Sequence, residues 1–359
     1  MRKITISLIL TIFIASVIFL IPGSGTSESV TVNPEQPSKG SGTAIIMTGA
    51  AARIPQQAAL LEELYNRGLL NDVVFISGVS AGAINAVALN AILDGKLTWD
   101  KYRQTLFSLK NNDVFLLPEG KKLPVNTEPV RKLFRDFFEE GLGYKKIGDL
   151  PITTEISFSN YRDLRVRKNV YRMCSRKINE ESDTTLSLVD IIMASTAIPI
   201  AFPPVRIGNV TTIPDLEYAD GGIGIDYVPF EALLEFQRFR GENVKRVYII
   251  SRKTGLADLG EELKILGIDS KNADRFANSF DNVMNKILLN RLNAFAREAP
   301  DMILASYVWI PDFNQDFLMF NFNNLEEQYI VTKSWAQNND PIPLGDFLLY
   351  NKLKKRKDG

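Results

Sequence analysis

The strongest fold signal in this chain is FISGVSAGAINA, residues 75–86. It contains Gly78-Val79-Ser80-Ala81-Gly82, the G-x-S-x-G pattern that places a serine on a sharp turn. An apolar, β-branched run precedes Ser80 and small residues follow it to Leu93, which predicts a buried strand, a turn and a helix. Gly78 and Gly82 fit a turn that brings backbone segments too close for a Cβ atom. A chance match at the start of a small-residue helix is the alternative reading.

The chain has 359 residues and no histidine, which excludes a Ser-His-Asp hydrolase because no imidazole can take the serine proton. The base would have to be a carboxylate, a lysine or a tyrosine. The best candidate is Asp220 in EYADGGIGIDYVP, where Gly221 and Gly222 predict a tight turn after an extended segment. An ordinary turn aspartate explains this D-G-G equally well, and Asp215 and Asp226 flank it.

A second strand-to-helix junction lies in MTGAAARIPQQAAL, residues 47–60. Successive backbone N–H groups at such a junction form an anion-binding concavity. In an acyl-transfer enzyme this is the expected place for an oxyanion hole, with positive charge added by Arg53. The candidate loop consists of Gly49, Ala50, Ala51, Ala52 and Arg53. A simple loop with Pro55 in the first helical turn is the alternative.

Strands alternate with helices along the chain, which predicts an α/β fold with a parallel-rich mixed sheet in a three-layer α/β/α sandwich. The runs ITTEISFSNY and VRKNVYRMCS are typical of two antiparallel strands, and NLEEQYIVTKSWAQ is expected to form the last helix. A long helix is predicted over residues 272–297. Its apolar stripe fits either a core-facing surface or a lipid-facing lid, and consists of Phe276, Phe280, Val283, Ile287 and Leu288.

The ends of the chain differ from its middle. Arg2 and Lys3 precede an apolar run, so residues 1–22 are expected to be a signal peptide or an uncleaved N-terminal anchor. Residues 23–42 predict a flexible linker, 43–350 the folded domain and 351–359 a basic tail. The tail would be solvated or would contact anionic lipid. The chain is therefore expected to be exported, either periplasmic or secreted, or held to a membrane by its N-terminal segment.

Charge and cysteine content exclude several classes of function. The chain has 42 basic and 42 acidic side chains, which gives no clustered positive charge for nucleic acid. Without histidine, and with Cys174 as the only cysteine, neither a zinc site nor an intramolecular disulfide is expected. Cys174 is predicted to be a buried apolar residue of a strand. No metal or organic cofactor is expected.

Taken together, these segments resemble the patatin-like phospholipase family over about residues 43–255. The family pattern has an oxyanion loop, a G-x-S-x-G elbow, an ASxAxPxxFPP segment and a D-G-[GA] turn; here the third is ASTAIPIAFPPV, Ala194–Val205. The resemblance implies a Ser-Asp dyad in which Ser80 is the nucleophile and Asp220 takes its proton. It also implies hydrolysis of lipid acyl esters through an acyl-enzyme, at a membrane surface and without a cofactor. The resemblance leaves any protein partner unknown.

A carboxylate of ordinary pKa is a weak base at neutral pH. We therefore expect that burial raises the pKa of Asp220 and that the Ser80 hydroxyl is held close to this carboxylate.

The oxyanion loop departs from the family pattern. The family has G-G-G-x-[RK]-G, whereas this chain has Gly49-Ala50-Ala51-Ala52-Arg53-Ile54. Each alanine that must adopt a positive φ costs on the order of 1–2 kcal/mol. Either the loop keeps two N–H donors in another conformation, or it is misaligned. The second case predicts a catalytically silent lipid- or protein-binding module.

Overall fold

A computed structural model describes residues 40–357, apart from 118, 120–122, 163–168, 200, 209–210, 224 and 255–272, and it describes no side chains for 273–285 and 354–357. The expected leader, nearly all of the linker and the last two residues of the tail therefore lie outside the described residues. Within the described ranges, no helix combines the length and the apolar character needed to cross a bilayer.

Eight strands and ten α-helices make up the described elements used below. The strands are β1 (Thr43–Met47), β2 (Val73–Val79), β3 (Thr153–Asn160), β4 (Val170–Cys174), β5 (Tyr218–Asp220), β6 (Arg246–Ile250), β7 (Ser306–Trp309) and β8 (Ile342–Pro343). The helices are α1 (Ile54–Asn66), α2 (Ala81–Leu93), α3 (Trp99–Ser108), α4 (Asn111–Val114), α5 (Glu128–Phe134), α6 (Leu188–Ser195), α7 (Phe230–Arg240), α8 (Ala273–Glu298), α9 (Leu325–Gln337) and α10 (Leu344–Lys357).

The strands form one mixed sheet in the order β4-β3-β2-β1-β6-β7-β8, with β5 also paired to β3. Strands β3, β2, β1, β6 and β7 are parallel to their neighbours within this series. Strands β4, β5 and β8 are antiparallel to the strands with which they pair. The predicted α/β fold with a mixed, mostly parallel sheet flanked by helices is confirmed, as is the antiparallel pairing of β3 and β4.

Helices cover both faces of the sheet and form two apolar cores. On β1, Ile45 and Met47 point into the core with α1, α2 and α6, whereas Ala44 and Ile46 point into the core with α7 and α8. Because side chains alternate along a strand, a central strand covered on both faces must be apolar throughout. This explains why β1 has no alternation between apolar and polar residues.

Strand β5 occupies the position in the sheet that β2 leaves. The last residue of β2, Val79, is paired with Ser157 of β3, and Asp220 of β5 is paired with the next residue, Phe158. Strand β4 already pairs with Phe158 from the other side, so β5 must lie on the β2 side. The ends of β2 and β5 therefore meet along one edge of β3, which brings residues 80 and 220 together.

Three expectations from the sequence concern the core and the last helix. Ile287 and Leu288 of α8 are buried against α7, as a core-facing stripe predicts, whereas Phe276, Phe280 and Val283 lie outside the described side chains. Cys174 is fully buried in β4. The expectation that NLEEQYIVTKSWAQ forms the last helix is wrong, because α10 follows it and extends into the basic segment.

Candidate active site

The G-x-S-x-G segment forms a strained turn between β2 and α2. Ser80 has φ 57° and ψ −129°, in the left-handed half of the backbone map that residues with a Cβ rarely adopt. A Cβ on Gly78 would lie 2.4 Å from the carbonyl oxygen of Gly82, and one on Gly82 would lie 2.7 Å from that of Met47. The motif glycines are thus required by close backbone approach. The turn places Ser80 at the positive N-terminal end of α2.

The structure brings Ser80 and Asp220 together in a buried pair. The Ser80 hydroxyl and the backbone N–H groups of Gly222 and Ile223 lie close enough to the Asp220 carboxylate to lower its pKa, and the Gly222 N–H donates a hydrogen bond to Asp220 Oδ1 at 2.7 Å. Both side chains are almost fully buried. Burial has the larger effect and raises the pKa of Asp220 from 3.8 to about 6, although these three groups oppose the rise. The direction agrees with the expectation from the sequence.

Of the two aspartates that flank Asp220, Asp226 is paired with arginines and Asp215 is exposed. Burial favours the neutral form of Asp226, but the Arg172 and Arg291 guanidinium groups beside it hold its pKa below the ordinary value. Arg172 donates two hydrogen bonds to this carboxylate, at 3.0 and 3.1 Å. The side chain of Asp215 is 80% exposed and lies 3.7 Å from Arg206. Neither aspartate shows the buried contact with Ser80 that Asp220 makes.

The candidate oxyanion loop lies directly beside the serine. A Cβ on Gly49 would be 3.4 Å from the Cβ of Ser80. Within the described part of the chain, the backbone N–H groups of Gly49 and Ala50 have no hydrogen-bond acceptor, so they are available to a ligand. Ala50 has a φ of −141°, whereas Ala51 has a φ of 48°. Of Ala50 and Ala51, only Ala51 therefore adopts the positive φ that is strained for alanine.

The other end of this loop is tied to the C-terminal third of the chain. The Ala52 N–H donates to the carbonyl oxygen of Met319 at 2.8 Å, and Arg53 Nε donates to that of Phe317 at 2.8 Å. Arg53 is buried and does not line the cavity next to Ser80. Its hydrogen bond to the Phe317 carbonyl oxygen therefore anchors the loop.

Ser195, the last residue of α6, connects to the nucleophile in a way that the sequence did not reveal. Its hydroxyl accepts a hydrogen bond from the Ser80 N–H at 2.9 Å and donates one to the Ser157 carbonyl oxygen at 2.7 Å. The hydroxyl thus bridges β2 and β3 where β2 leaves the sheet. Ser195 belongs to the ASTAIPIAFPPV segment, which gave a signal for its importance but none for this contact.

An apolar cavity begins at Ser80. Its walls come from α2, α3, α5 and the segments around residues 196–202 and 320–322. Aliphatic and aromatic side chains form the lining, the aromatic ones including Phe134, Phe138, Phe202 and Phe320. Such a lining suits an apolar group such as a hydrocarbon chain. In the described residues, no group of three or more Cys, Asp or Glu side chains is arranged to hold a metal ion.

Comparison with known proteins gives a family match over just over half of the chain. The model of the family described as patatin-like phospholipase matches residues 44–234. No curated protein matches the sequence significantly.

Two solved structures resemble the chain at low identity. One is VipD from Legionella pneumophila, with 11% identity and a TM-score of 0.37, and the match covers 89% of this chain and 72% of that one. The other is the full-length SpcU–ExoU complex from Pseudomonas aeruginosa, with 15% identity and a TM-score of 0.31, covering 78% of this chain and 66% of that one. At these values neither structure indicates an activity for this chain.

Proposed function

Because this chain belongs to the patatin-like phospholipase family, we propose that it hydrolyses acyl esters of lipids with Ser80 as nucleophile and Asp220 as base. One observation carries the proposal: a serine on a strained turn lies beside a buried aspartate and lines an apolar cavity. A pKa of about 6 leaves Asp220 ionised at neutral pH and makes it a stronger base than an exposed aspartate.

In the acylation step, Ser80 Oγ bonds to the ester carbonyl carbon while its proton passes to Asp220. The negative charge that forms on the carbonyl oxygen lies at the N-terminal end of α2 and beside the Gly49 and Ala50 N–H groups, which would donate to it. The tetrahedral intermediate then expels the alcohol, which takes the proton from Asp220. The products of this step are the free alcohol and an acyl ester on Ser80.

Deacylation repeats these roles with water. Asp220 takes a proton from a water molecule while the oxygen of this water bonds to the acyl carbon. The second tetrahedral intermediate expels Ser80 Oγ, which recovers the proton from Asp220. A fatty acid is released and the dyad returns to its starting state. Neither step needs a metal or an organic cofactor.

The cavity supports a lipid substrate of the kind that phospholipase A and lysophospholipase enzymes cleave. Its walls are almost entirely apolar, so they would exclude water from a bound acyl chain and stabilise it by burial. The ester would lie at the Ser80 end. A membrane or micelle surface would supply such a substrate.

The conformation of the oxyanion loop favours a hydrolase over a silent binding module. Ala51 adopts a positive φ although it is not glycine. The strain of about 1–2 kcal/mol that this implies is tolerated because Met319 and Phe317 anchor the next two residues. A loop of relaxed shape, turned away from Ser80, would instead have supported the silent module.

A fluorophosphonate probe tests the nucleophile. We expect the wild-type chain to be labelled and the Ser80→Ala variant to remain unlabelled. A matched control is Ser306→Ala, which removes another fully buried serine hydroxyl whose bond is to the Met302 carbonyl oxygen; this variant should be labelled normally. Absence of labelling in the wild type, or labelling that survives in Ser80→Ala, would refute the dyad.

The base is tested with the Asp220→Asn variant and a p-nitrophenyl ester. Asparagine keeps an acceptor for the Gly222 N–H but cannot take a proton, so we expect the fold to remain and turnover to be abolished. Unchanged hydrolysis would show that another group is the base.

We also propose that the chain is exported, on the basis of the basic residues and apolar run at its N-terminus. Fractionation of cells that produce the full chain would test this. Recovery from the periplasm, medium or membrane is expected, and recovery from the cytosol alone would contradict it.

A further inference from the structure

Helix α10 has two apolar faces on opposite sides. Leu344, Phe347 and Leu348 pack into the core with α7 and α8. Leu349, Tyr350 and Leu353 are 56%, 65% and 49% exposed. At about 100° per residue, Leu353 lies about 180° around the helix from Leu344. The exposed set is therefore an outer stripe, and not the edge of the buried one.

The elements against which α10 packs show apolar side chains to solvent as well. Helix α10 contacts α8, β7, β8 and the 3-10 turn Pro300–Ala305. Leu304 of this turn is 49% exposed, and Ile342 of β8 is 46% exposed. These contacts involve the inner face of α10. In the part of the chain that the structure describes, no element covers the outer stripe.

The same helix is strongly basic. Its sequence, LGDFLLYNKLKKRK, has one acidic residue, Asp346, and five basic residues, Lys352, Lys354, Lys355, Arg356 and Lys357. Lys352 is exposed. A helix with an apolar stripe and many cations next to it is typical of a segment that lies in the interface of a membrane with anionic lipids.

We propose that the outer stripe of α10, formed by Leu349, Tyr350 and Leu353, docks this protein on anionic membrane surfaces. The apolar side chains enter the region between head groups and acyl chains, and the cations bind the lipid phosphates. Charge argues against a second copy of this chain as the occupant, because a symmetric contact through α10 would bring together two helices that each have five basic residues and one acidic residue. The choice of occupant rests on the proposed lipid substrate, but the docking itself requires no hydrolysis.

A fluorophore attached at the stripe measures docking locally, so it is insensitive to binding through the N-terminal segment. Cys174 is fully buried, so Leu353→Cys in the full chain gives one accessible thiol for a polarity-sensitive dye. The Ser80→Ala background prevents lipid degradation. With vesicles of phosphatidylcholine and phosphatidylglycerol, we expect a blue shift and a several-fold rise in emission.

The matched control places the dye on another exposed apolar position. Ile330→Cys, on α9, replaces a side chain that is 56% exposed, and its dye should remain in water. With the stripe variant Leu349→Gln, about tenfold more lipid should be needed for the same response of the dye at position 353. The control Phe239→Gln alters a 62% exposed side chain elsewhere and should leave the response unchanged. High salt should reduce the response.

Three results would overturn the proposal. The first is an emission from the dye at position 353 that does not change when vesicles are added, which would show that the stripe stays in water. An equal response to pure phosphatidylcholine would remove the role of the cations. A blue shift that grows with protein concentration, without vesicles, would identify a second copy of the chain as the occupant. Fluorophosphonate labelling of Ser80 in detergent is independent of all three, so failure of docking and failure of the proposed hydrolase are distinguishable.

Discussion

Asp220 must be both buried and ionised for the proposed chemistry. Burial disfavours its charged form and raises its pKa to about 6, which gives the carboxylate more affinity for the Ser80 proton than an exposed aspartate has. Ser195 acts on the same pair from the other side, through the backbone of Ser80. Burial therefore sets the basicity of Asp220, whereas Ser195 holds the position of Ser80, and the two effects can be tested separately.

The first prediction concerns the pH dependence of activity. Because Asp220 must be ionised to accept a proton, kcat/KM should fall about tenfold per pH unit below the folded pKa of about 6 and level off above it. The measurement is ester hydrolysis between pH 4 and 8. An activity that does not fall between pH 6 and pH 4 would contradict this role.

The second prediction concerns stability. The folded pKa of Asp220 lies above its ordinary value of 3.8, so the stability that it contributes is complete below pH 3.8 and is lost as the pH rises through about 6. Asp220→Asn removes this dependence and should raise the free energy of unfolding at pH 8 by about 3 kcal/mol. Chemical denaturation at pH 4 and pH 8 measures it. A difference from wild type that is equal at both pH values would refute the shift.

The third prediction treats Ser195 as a positioning residue. Ser195→Ala leaves the Ser80 N–H and the Ser157 carbonyl oxygen without their shared partner, at a cost of about 1–3 kcal/mol. A displaced nucleophile should lower kcat up to about a hundredfold and leave KM nearly unchanged. Ser306→Ala is the control, since its hydroxyl bonds only within its own region. If both variants lose stability and neither loses kcat, Ser195 is merely structural.

At the scale of elements, the oxyanion loop between β1 and α1 is the part most altered from the family pattern. Its shape follows from anchors rather than from glycine. Met47 and Thr48 lie against Gly82 at one end, and Met319 and Phe317 hold Ala52 and Arg53 at the other. Fixed at both ends, the loop imposes a positive φ on Ala51 between them.

The fourth prediction tests this strain. Ala51→Gly relieves the backbone strain of an alanine with a positive φ, about 1–2 kcal/mol. It also adds the entropy cost of glycine, about 0.5–1 kcal/mol. The variant should therefore be more stable by up to about 1.5 kcal/mol. Ala52→Gly, at a position without positive φ, should be less stable by about 0.5–1 kcal/mol. Denaturant titration of both decides, and a loss of stability in Ala51→Gly would argue against the strained loop.

At the scale of the whole molecule, the site depends on a part of the chain beyond the family match, which ends at residue 234. Gln328 of α9 donates to the Ala52 carbonyl oxygen at 3.0 Å and accepts from Gln56 at 3.1 Å. Phe320 completes the cavity wall. The C-terminal third therefore holds the oxyanion loop in place.

The fifth prediction follows from this dependence. Gln328→Leu leaves the Ala52 carbonyl oxygen and the Gln56 amide without this partner, so we expect a loss of about 1–3 kcal/mol in stability and a loss of activity at temperatures where the variant is folded. The control is Thr332→Val on the same helix, whose hydroxyl bonds only to the Gln328 carbonyl oxygen. Full activity in folded Gln328→Leu would show that the loop does not need this support.

Sequence reasoning located the elbow, the acid turn and the layer order because their signals are local. Glycine spacing reports close backbone approach, and an apolar run bounded by turns reports a buried strand. Helix α10 was missed because it is apolar on both faces, so it lacks the one-sided periodicity that reveals a helix on the surface. The basic residues at its C-terminal end were for the same reason interpreted as a tail.

Three features follow from the sequence alone: no histidine can be the base, Ser80 lies on a turn between a strand and a helix, and the sheet is mostly parallel. The tertiary structure shows which aspartate lies beside Ser80, because β5 takes the place that β2 leaves beside β3. It also decided the bridge from Ser195 and the anchoring of the oxyanion loop. These contacts join residues far apart in the chain, so they depend on how the elements pack, which no local pattern specifies.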